Sequence, residues 1–466
     1  SDSTGDTSYS AFLDKKVVGM SPSLVVNAND GLVNVIDPSN GTRRYAYMPS
    51  SVLNNLHYVA DPAYINGVTH KFLADGQISI VDARLGTAWK TLAIGGVGAG
   101  GKAFYAIQLY DGTAGNSISA LWEIRAPDIA NTANVFNDLG YAYAKPEVAQ
   151  LADGRWAAFI GNGYGSSTGV AALYVVDIRD GSLIRKIIVD STGGNGLSSV
   201  KLRVNAQSVV QYAYGGDLKG QMWKFDFTSS APASGISFSN TPLFIAPGGT
   251  SQPITAQPVI GSLPSLGYLV YFGTGKLSEV ADKTSTARQA FYAVLDNDGA
   301  SASYGESQLQ AQSFTGATAT GSQYFTTSQT PVDYTTQKGF YLPLVVSGVL
   351  AGERVLYQAQ LSFGRLFFTT AIIDTADPCS SSGSGRFVDI DAVSGAMLNY
   401  AVLDTTGDRV VDSSDSITSG IMFSGGVPNL SGAVSNSSGT QNLMLPTPQT
   451  ELGGVFNRRV MWRQIQ

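Results

Sequence analysis

The chain has 466 residues, of which 43% are hydrophobic and only 14% charged, so it carries enough apolar surface for a large core. A formal net charge of -6, with no basic run longer than Arg458-Arg459, excludes a nucleic-acid groove, and no stretch of about 18 apolar residues is present to span a membrane. The single Cys379 excludes an intramolecular disulfide and leaves the compartment open.

Residues 1–20 open with a polar stretch that lacks the basic and apolar regions of a signal peptide, and they read as a leading coil. Because the chain starts without Met, it is expected to be a domain excised from a longer protein. Leu24 to Ala28 and Gly31 to Ile36 alternate apolar and polar residues around Asp30-Gly31, which predicts a hairpin. Tyr45 to Leu56 leaves this pattern, and Pro49-Ser50 can begin a short helix.

A second hairpin is expected from Lys71 to Ile94. It repeats the first: DGLVNVIDPSNGT from Asp30 returns as DGQISIVDARLGT from Asp75, an offset of 45 residues. That spacing is close to the ~40–45 residues of one four-stranded propeller blade. Parts of the pattern recur at Gly220 to Asp226, Asp177 to Gly181 and Gly385 to Gly395. The cassette Ala103 to Ile107 returns at Ala290 to Val294. One strand-turn-strand unit is thus used at least five times.

The run Gly95 to Ala103 holds Gly-x-Gly-x-x-Gly before Lys102 and resembles a phosphate loop, but Ala103 stands where Ser or Thr would reach magnesium, and a strand follows where a helix is needed. Close backbone packing is the better account of these glycines. Further strands are expected within Tyr141 to Arg185, Val209 to Phe227, Tyr268 to Lys276, Gly339 to Leu344, Arg354 to Gln360 and Leu366 to Ile373. Residues 300–337 and 431–450 are polar and read as insertions or surface loops. Arg458 to Gln466 is expected to be a last strand closing the ring on the first blade.

One stretch carries metal-binding chemistry. Asp404, Thr406, Asp408, the carbonyl of Val410, Asp412 and Asp415 supply oxygens at positions one, three, five, seven, nine and twelve of an EF-hand-type loop. Four carboxylates within twelve residues repel one another unless a cation sits between them, and Ca2+ prefers several hard oxygens in a flexible arrangement. The departure is Arg409, where that loop has Gly. Asp2 to Asp6 begins in the same way without a later acid and reads as terminal coil. His57 and His70, thirteen residues apart, have no metal-ligand logic and read as structural. Trp122, Trp156, Trp223 and Phe225 fit strand cores. Catalysis finds no motif.

The stretches IGGVGAGGKAFYAI, GNGYGSSTGVAALYVVDIRDGSLI, GGDLKGQMWKFDF, YFGTGK and GERVLYQAQLSFGRLFFTTAIIDTADPC, with the terminal RRVMWRQI, resemble the C-terminal domain of the PilC/PilY family of type IV pilus proteins, from about Leu24 to Gln466. The resemblance implies an all-β, modified seven-bladed β-propeller with loop insertions and few short helices, formed as one domain over 1–466. It implies a secreted protein of the bacterial cell surface, outer-membrane-associated and at the pilus tip. The implied roles are pilus assembly, control of retraction, twitching motility and host-cell adhesion, with minor pilins and a host-cell receptor as partners. The family's calcium loop lies between the motif at Asn195-Gly196-Leu197-Ser198 and the motif starting at Gly216. That interval has no acidic residue here, so the usual site is expected to be lost and the Asp404 to Asp415 loop stands elsewhere. The leading expectation is a non-enzymatic, calcium-binding scaffold, and the competing one is a propeller quinoprotein dehydrogenase using calcium and a quinone cofactor.

Overall fold

The computed structural model describes residues 7–62, 71–228, 240–298, 303–317, 323–373, 383–424, 426–430, 433–435, 440–443, 445 and 449–452. Asp2 to Asp6, His70, Cys379 and the closing strand expected at Arg458 to Gln466 lie outside the described residues. The chain divides into two compact units, Ser1–Asp217 with Trp223–Asn240, and Leu218–Met222 with Thr241–Gln466.

The first unit holds antiparallel meanders. They are β1 (Leu24–Asn27), β2 (Val33–Ile36) and β3 (Arg43–Tyr47); then β4 (Ile78–Leu85), β5 (Ala88–Gly96), β6 (Ala103–Asp111) and β7 (Ser119–Arg125). Next come β8 (Glu147–Gln150), β9 (Trp156–Gly161), β10 (Ala171–Asp177) and β11 (Leu183–Asp190), and last β12 (Leu197–Val204), β13 (Val210–Asp217) and β14 (Gln221–Asp226). The unit boundary passes through β14, whose first two residues pair with β15 (Phe244–Ile245) in the second unit.

The second unit continues with β16 (Val259–Leu263), β17 (Gly267–Gly273), β18 (Ala290–Asp296), β19 (Gln310–Ala311), β20 (Phe314–Ala317), β21 (Tyr324–Thr327) and β22 (Gly339–Pro343). It ends with β23 (Gln360–Ser362), β24 (Arg365–Thr369), β25 (Ile372–Ile373), β26 (Gly383–Asp391), β27 (Gly420–Phe423), β28 (Ala433–Ser435), β29 (Thr440–Leu443) and β30 (Gln449–Leu452). One sheet runs β16-β17-β18-β22-β19, a second runs β20-β21-β27-β26-β24-β23 with β25 on β26, and a third runs β28-β29-β30. The inner strands β6, β10 and β18 are buried at every position, so their sequences are continuous apolar runs where a one-faced strand would alternate.

Local chemistry makes the recurring turn. At Asp37, Asp177 and Asp391 the carboxylate Oδ1 accepts the amide of the residue two positions on, at 2.9, 2.9 and 3.0 Å. The Asp carbonyl then accepts the amide of Gly41, Gly181 or Gly395 at 2.8, 2.9 and 2.9 Å. Each glycine has φ near +70°, the left-handed value that costs other residues most.

The second copy of the repeat departs from this. The repeat aligns Asp82 and Gly86 with Asp37 and Gly41, but the same turn does not form there; β4 runs through Asp82 to Leu85 and reverses at Gly86-Thr87. Gly76 is not left-handed either: a Cβ there would overlap the Gly96 carbonyl, so close strand approach is its reason.

Asp82 has another use, which corrects the expectation of a leading coil. Thr7–Gly19 is a helix, α1, whose Lys16 ammonium sits 2.7 Å from the Asp82 carboxylate and whose Tyr9 hydroxyl donates to it at 3.1 Å. Phe12 is buried against Trp89 and Tyr110, with ring centroids at 6.2 and 6.0 Å. The helix escapes an apolar-periodicity reading because Val17 and Val18 face solvent and only Phe12 is fully buried. The short helix expected at Pro49-Ser50 is present as a 3-10 turn, Ser50–Asn55, continued by α2, Leu56–Ala60.

Residues 300–337, expected as an insertion or loop, instead supply β19, β20 and β21, and the run 431–450 supplies β28, β29 and the start of β30. Within 310–327 polar composition did not prevent pairing because buried polar side chains find partners. Gln312 donates to the carbonyls of Thr330 and Ser394 at 2.6 and 2.8 Å, and the Thr327 and Ser419 hydroxyls are 2.7 Å apart.

Candidate metal-binding loop

The Asp404 to Asp415 stretch lies between β26 and β27, and buried residues anchor both of its ends: Val402 and Leu403 before it, Thr418 and Ser419 after it. Asp404 folds the first half around itself. Its Oδ1 accepts the Gly407 amide at 2.6 Å and the Thr406 hydroxyl at 3.3 Å, and its Oδ2 accepts the Arg409 amide at 2.7 Å. Arg409, which donates that last bond, has φ +68°, and Gly407 has φ +83°. A non-glycine residue in this region is uncommon. Arg409 therefore takes, at the sixth position, the left-handed turn that Gly makes in an EF-hand loop.

Asp415 closes the loop from the other end. Its Oδ1 accepts the Thr405 and Thr406 amides at 2.7 and 3.1 Å, and its Oδ2 accepts the Asp412 amide at 3.0 Å. Burial pushes its carboxyl up, but these donors outweigh it and hold the group below the ordinary range. Asp412, bonded to the Ser414 amide and hydroxyl, is lowered as well. Asp408 accepts only the Val410 amide at 2.8 Å, and Val410 is exposed. Burial and the charges of Asp404 and Asp415 raise the Tyr324 phenol, whose hydroxyl donates to the Asp404 carbonyl at 3.1 Å.

The loop thus gives Asp404 and Asp415 separate sets of backbone donors, with Thr406 bonded to both carboxylates, and leaves Asp408 and Asp412 turned to solvent. Among the described residues no three His, Cys, Asp or Glu side chains are grouped as a metal site.

The other singled-out residues have structural places. Gly98 donates to the Ala142 carbonyl, a Cβ at Gly100 would overlap the Leu73 carbonyl, and Lys102 bonds the Gly165 carbonyl, so the glycine-rich run is close-packed backbone. His57 faces the Asn54 carbonyl through Nδ1 at 2.9 Å and lies on Tyr58. Trp122 donates to the Ile178 carbonyl at 2.8 Å and lies in one core cluster, with Trp156 packed against it, while Trp223 donates to buried Asp217 at 2.9 Å and shares another with Phe225. The interval between Ser198 and Gly216 is a tight hairpin whose turn is capped by Asn205, which accepts the Gln207 and Val209 amides at 2.9 and 3.0 Å.

Sequence reasoning missed Asn162. Its side chain is fully buried, and its amide donates to the Asp138 and Val170 carbonyls at 2.8 and 2.9 Å while accepting from Ala172 and Leu197 at 3.0 and 2.9 Å. No local signal marks it, since its four partners lie 8, 10, 24 and 35 residues away.

Comparison with known proteins agrees with the sheet meanders and the motifs. The family model of the PilY1 beta-propeller domain matches residues 3–320. The chain is 34% identical over 449 residues to the type IV pilus biogenesis factor PilY1 of Pseudomonas aeruginosa strain PAO1, covering 87% of this chain and 37% of that protein. It is 34% identical over 426 residues to a PilY1 homolog of Xylella fastidiosa, covering 86% of this chain and 28% of that protein. The chain therefore spans about a third of the length of these relatives. The crystal structure of the Pseudomonas aeruginosa PilY1 C-terminal domain superposes with a TM-score of 0.76 at 29% identity, covering 96% of each chain. With its antiparallel meanders and its match to that model over more than half its length, the chain is an all-β propeller domain and belongs to the PilY1 β-propeller family.

Proposed function

We propose that this chain is the non-enzymatic propeller domain of a type IV pilus biogenesis factor, acting at the bacterial cell surface and pilus tip in pilus assembly, retraction control, twitching motility and host-cell adhesion. The observation that carries the reading is the 34% identity over 449 residues to a protein named for pilus biogenesis, together with the TM-score of 0.76 over 96% of the chain. Stiff buried strands with loops at their ends suit a display scaffold. Its partners in this reading are minor pilins and a host-cell receptor.

The test is a chromosomal deletion of the segment encoding residues 24–452 in the otherwise intact full-length protein. Surface pilin and twitching zones are expected to fall to the level of a complete knockout. Wild-type surface pilin and motility in cells that still secrete the truncated protein would refute the assignment.

Calcium is the ion this reading places at the loop. Asp404, Thr406, Asp408, the Val410 carbonyl, Asp412 and Asp415 would hold it, with Asp408 and Asp412 turning in from solvent, and bound Ca2+ would offset the charge of the four carboxylates and stiffen the loop. Support comes from the hard-oxygen donor set and from Arg409, whose φ of +68° falls where an EF-hand loop makes its sharp turn. Calorimetric titration of the wild type is expected to give a Kd on the order of 10⁻⁴ to 10⁻³ M, the range of extracellular calcium modules. Asp404→Ala with Asp408→Ala is expected to abolish the heat. Equal heats from both proteins would remove the site.

A further inference from the structure

Three Asn-Gly pairs lie among the described residues, at Asn40, Asn162 and Asn195, and their environments differ sharply. Asn162 is fully buried with all four hydrogen-bonding positions of its amide used. Asn195 is buried too, and its Nδ2 donates to the carboxylates of Asp190 and Asp217 at 2.7 and 3.0 Å. Asn40 is exposed at the tip of the β2–β3 turn. Its Oδ1 accepts the Thr42 amide at 2.8 Å, so the side-chain carbonyl turns back along the chain on the side of Gly41 and Thr42. Gly41 has open space around it, with nothing within 4 Å of a built Cβ.

We propose that Asn40-Gly41 is a spontaneous deamidation site of the folded protein. When the 2.8 Å bond from the Gly41 amide to the Asp37 carbonyl opens, solvent base takes that amide proton and the nitrogen attacks Asn40 Cγ. A new C–N bond forms, the Cγ–Nδ2 bond breaks, and Nδ2 leaves as ammonia. The resulting cyclic imide adds one water and opens at either carbonyl, to Asp or to isoaspartate, with no change of oxidation state.

The repeat tells the two products apart. In the matching turn, Asp180 already occupies the place of Asn40 and accepts the Ser182 amide at 2.9 Å, so Asp at 40 fits the same fold. Isoaspartate inserts a carbon into the main chain between Asp37 and Gly41, whose 2.8 Å hydrogen bond closes the turn. The site is thus a clock on the surface: one product is silent and the other opens the β2–β3 turn beside the Asp37–Arg44 ion pair.

Folded protein and a urea-unfolded control are incubated in mildly alkaline H₂¹⁸O buffer and mapped by peptide mass spectrometry. Asn40 is expected to convert at least about tenfold faster than Asn162 and Asn195 in the folded protein, because the buried pairs react only through opening of the structure. In urea the three are expected to converge. Asn40 converting no faster than Asn162 when folded, or staying intact when folded while converting in urea, would overturn the proposal. Asn40→Asp is expected to melt at the wild-type midpoint; a clearly lower midpoint would overturn the distinction between the products.

Discussion

Asn162→Ala is expected to lower the unfolding free energy by about 4 kcal/mol, far above the ~1 kcal/mol of a typical substitution. The side chain is fully buried and joins four backbone groups that belong to the chain near Asp138, to the start of β10 and to β12. An amide is the one side chain with two donors and two acceptor positions in this geometry. Alanine would leave two carbonyls and two N–H groups without it, each costing about 1–3 kcal/mol when buried and unmade, and the stated figure is the low end of that sum. Asn162→Asp is expected to be at least as damaging, because an acceptor oxygen would then face the Asp138 and Val170 carbonyls. Urea unfolding gives the free energy, and amide exchange at Ala172 and Leu197 locates the loss. A shift below about 1 kcal/mol would mean that water replaces the side chain.

Removing either partner of the Arg365–Asp389 pair is expected to cost about 3–5 kcal/mol. The guanidinium and carboxylate meet at 2.8 Å with 4% and 0% of their side chains exposed, on the adjacent strands β24 and β26. Their attraction has to offset the desolvation of two ions, so the pair is a weak net stabiliser, whereas removing one ion leaves the other buried without its opposite charge at 2.8 Å, a severe penalty. The double replacement Arg365→Met with Asp389→Leu is therefore expected to recover most of the loss. Salt is expected to change neither number much, since screening acts on exposed charges. A double variant as unstable as Asp389→Ala would show that the site needs the ions for packing reasons that volume cannot supply.

Both effects concern residues whose roles depend on distant partners, and they mark how far the sequence could be read. The strands were legible where one residue type repeated at a period of two, as at Val33 and Val35, or where an apolar run met a turn, as at Ala290 to Asp296. The Asp-x-x-x-Gly turn was legible because its bonds are closed within five residues: a carboxylate, one amide two positions on and a left-handed glycine. The acidic loop was legible for the same reason, as Asp and Thr side chains that bond backbone amides within twelve residues.

Asp82 shows the limit. It sits at the repeat position of Asp37, yet β4 continues past it, and its carboxylate holds Lys16 and Tyr9 of a helix 66 and 73 residues away. Residues 310–327 show it again. Their Ser, Thr and Gln content reads as loop, and only the sheet contributed by β22 and β27 makes them strands.

By itself the sequence determined the antiparallel modules, their turns, the membership of the propeller family and the acidic loop, because each rests on contacts between near neighbours or on motifs long enough to be specific. Tertiary structure alone decided that α1 forms, that Asn162 is a staple, that Arg365 and Asp389 meet and that Arg409 takes a left-handed turn. Those outcomes depend on which remote backbone groups are brought within hydrogen-bonding range, and burial then makes each unmet partner expensive.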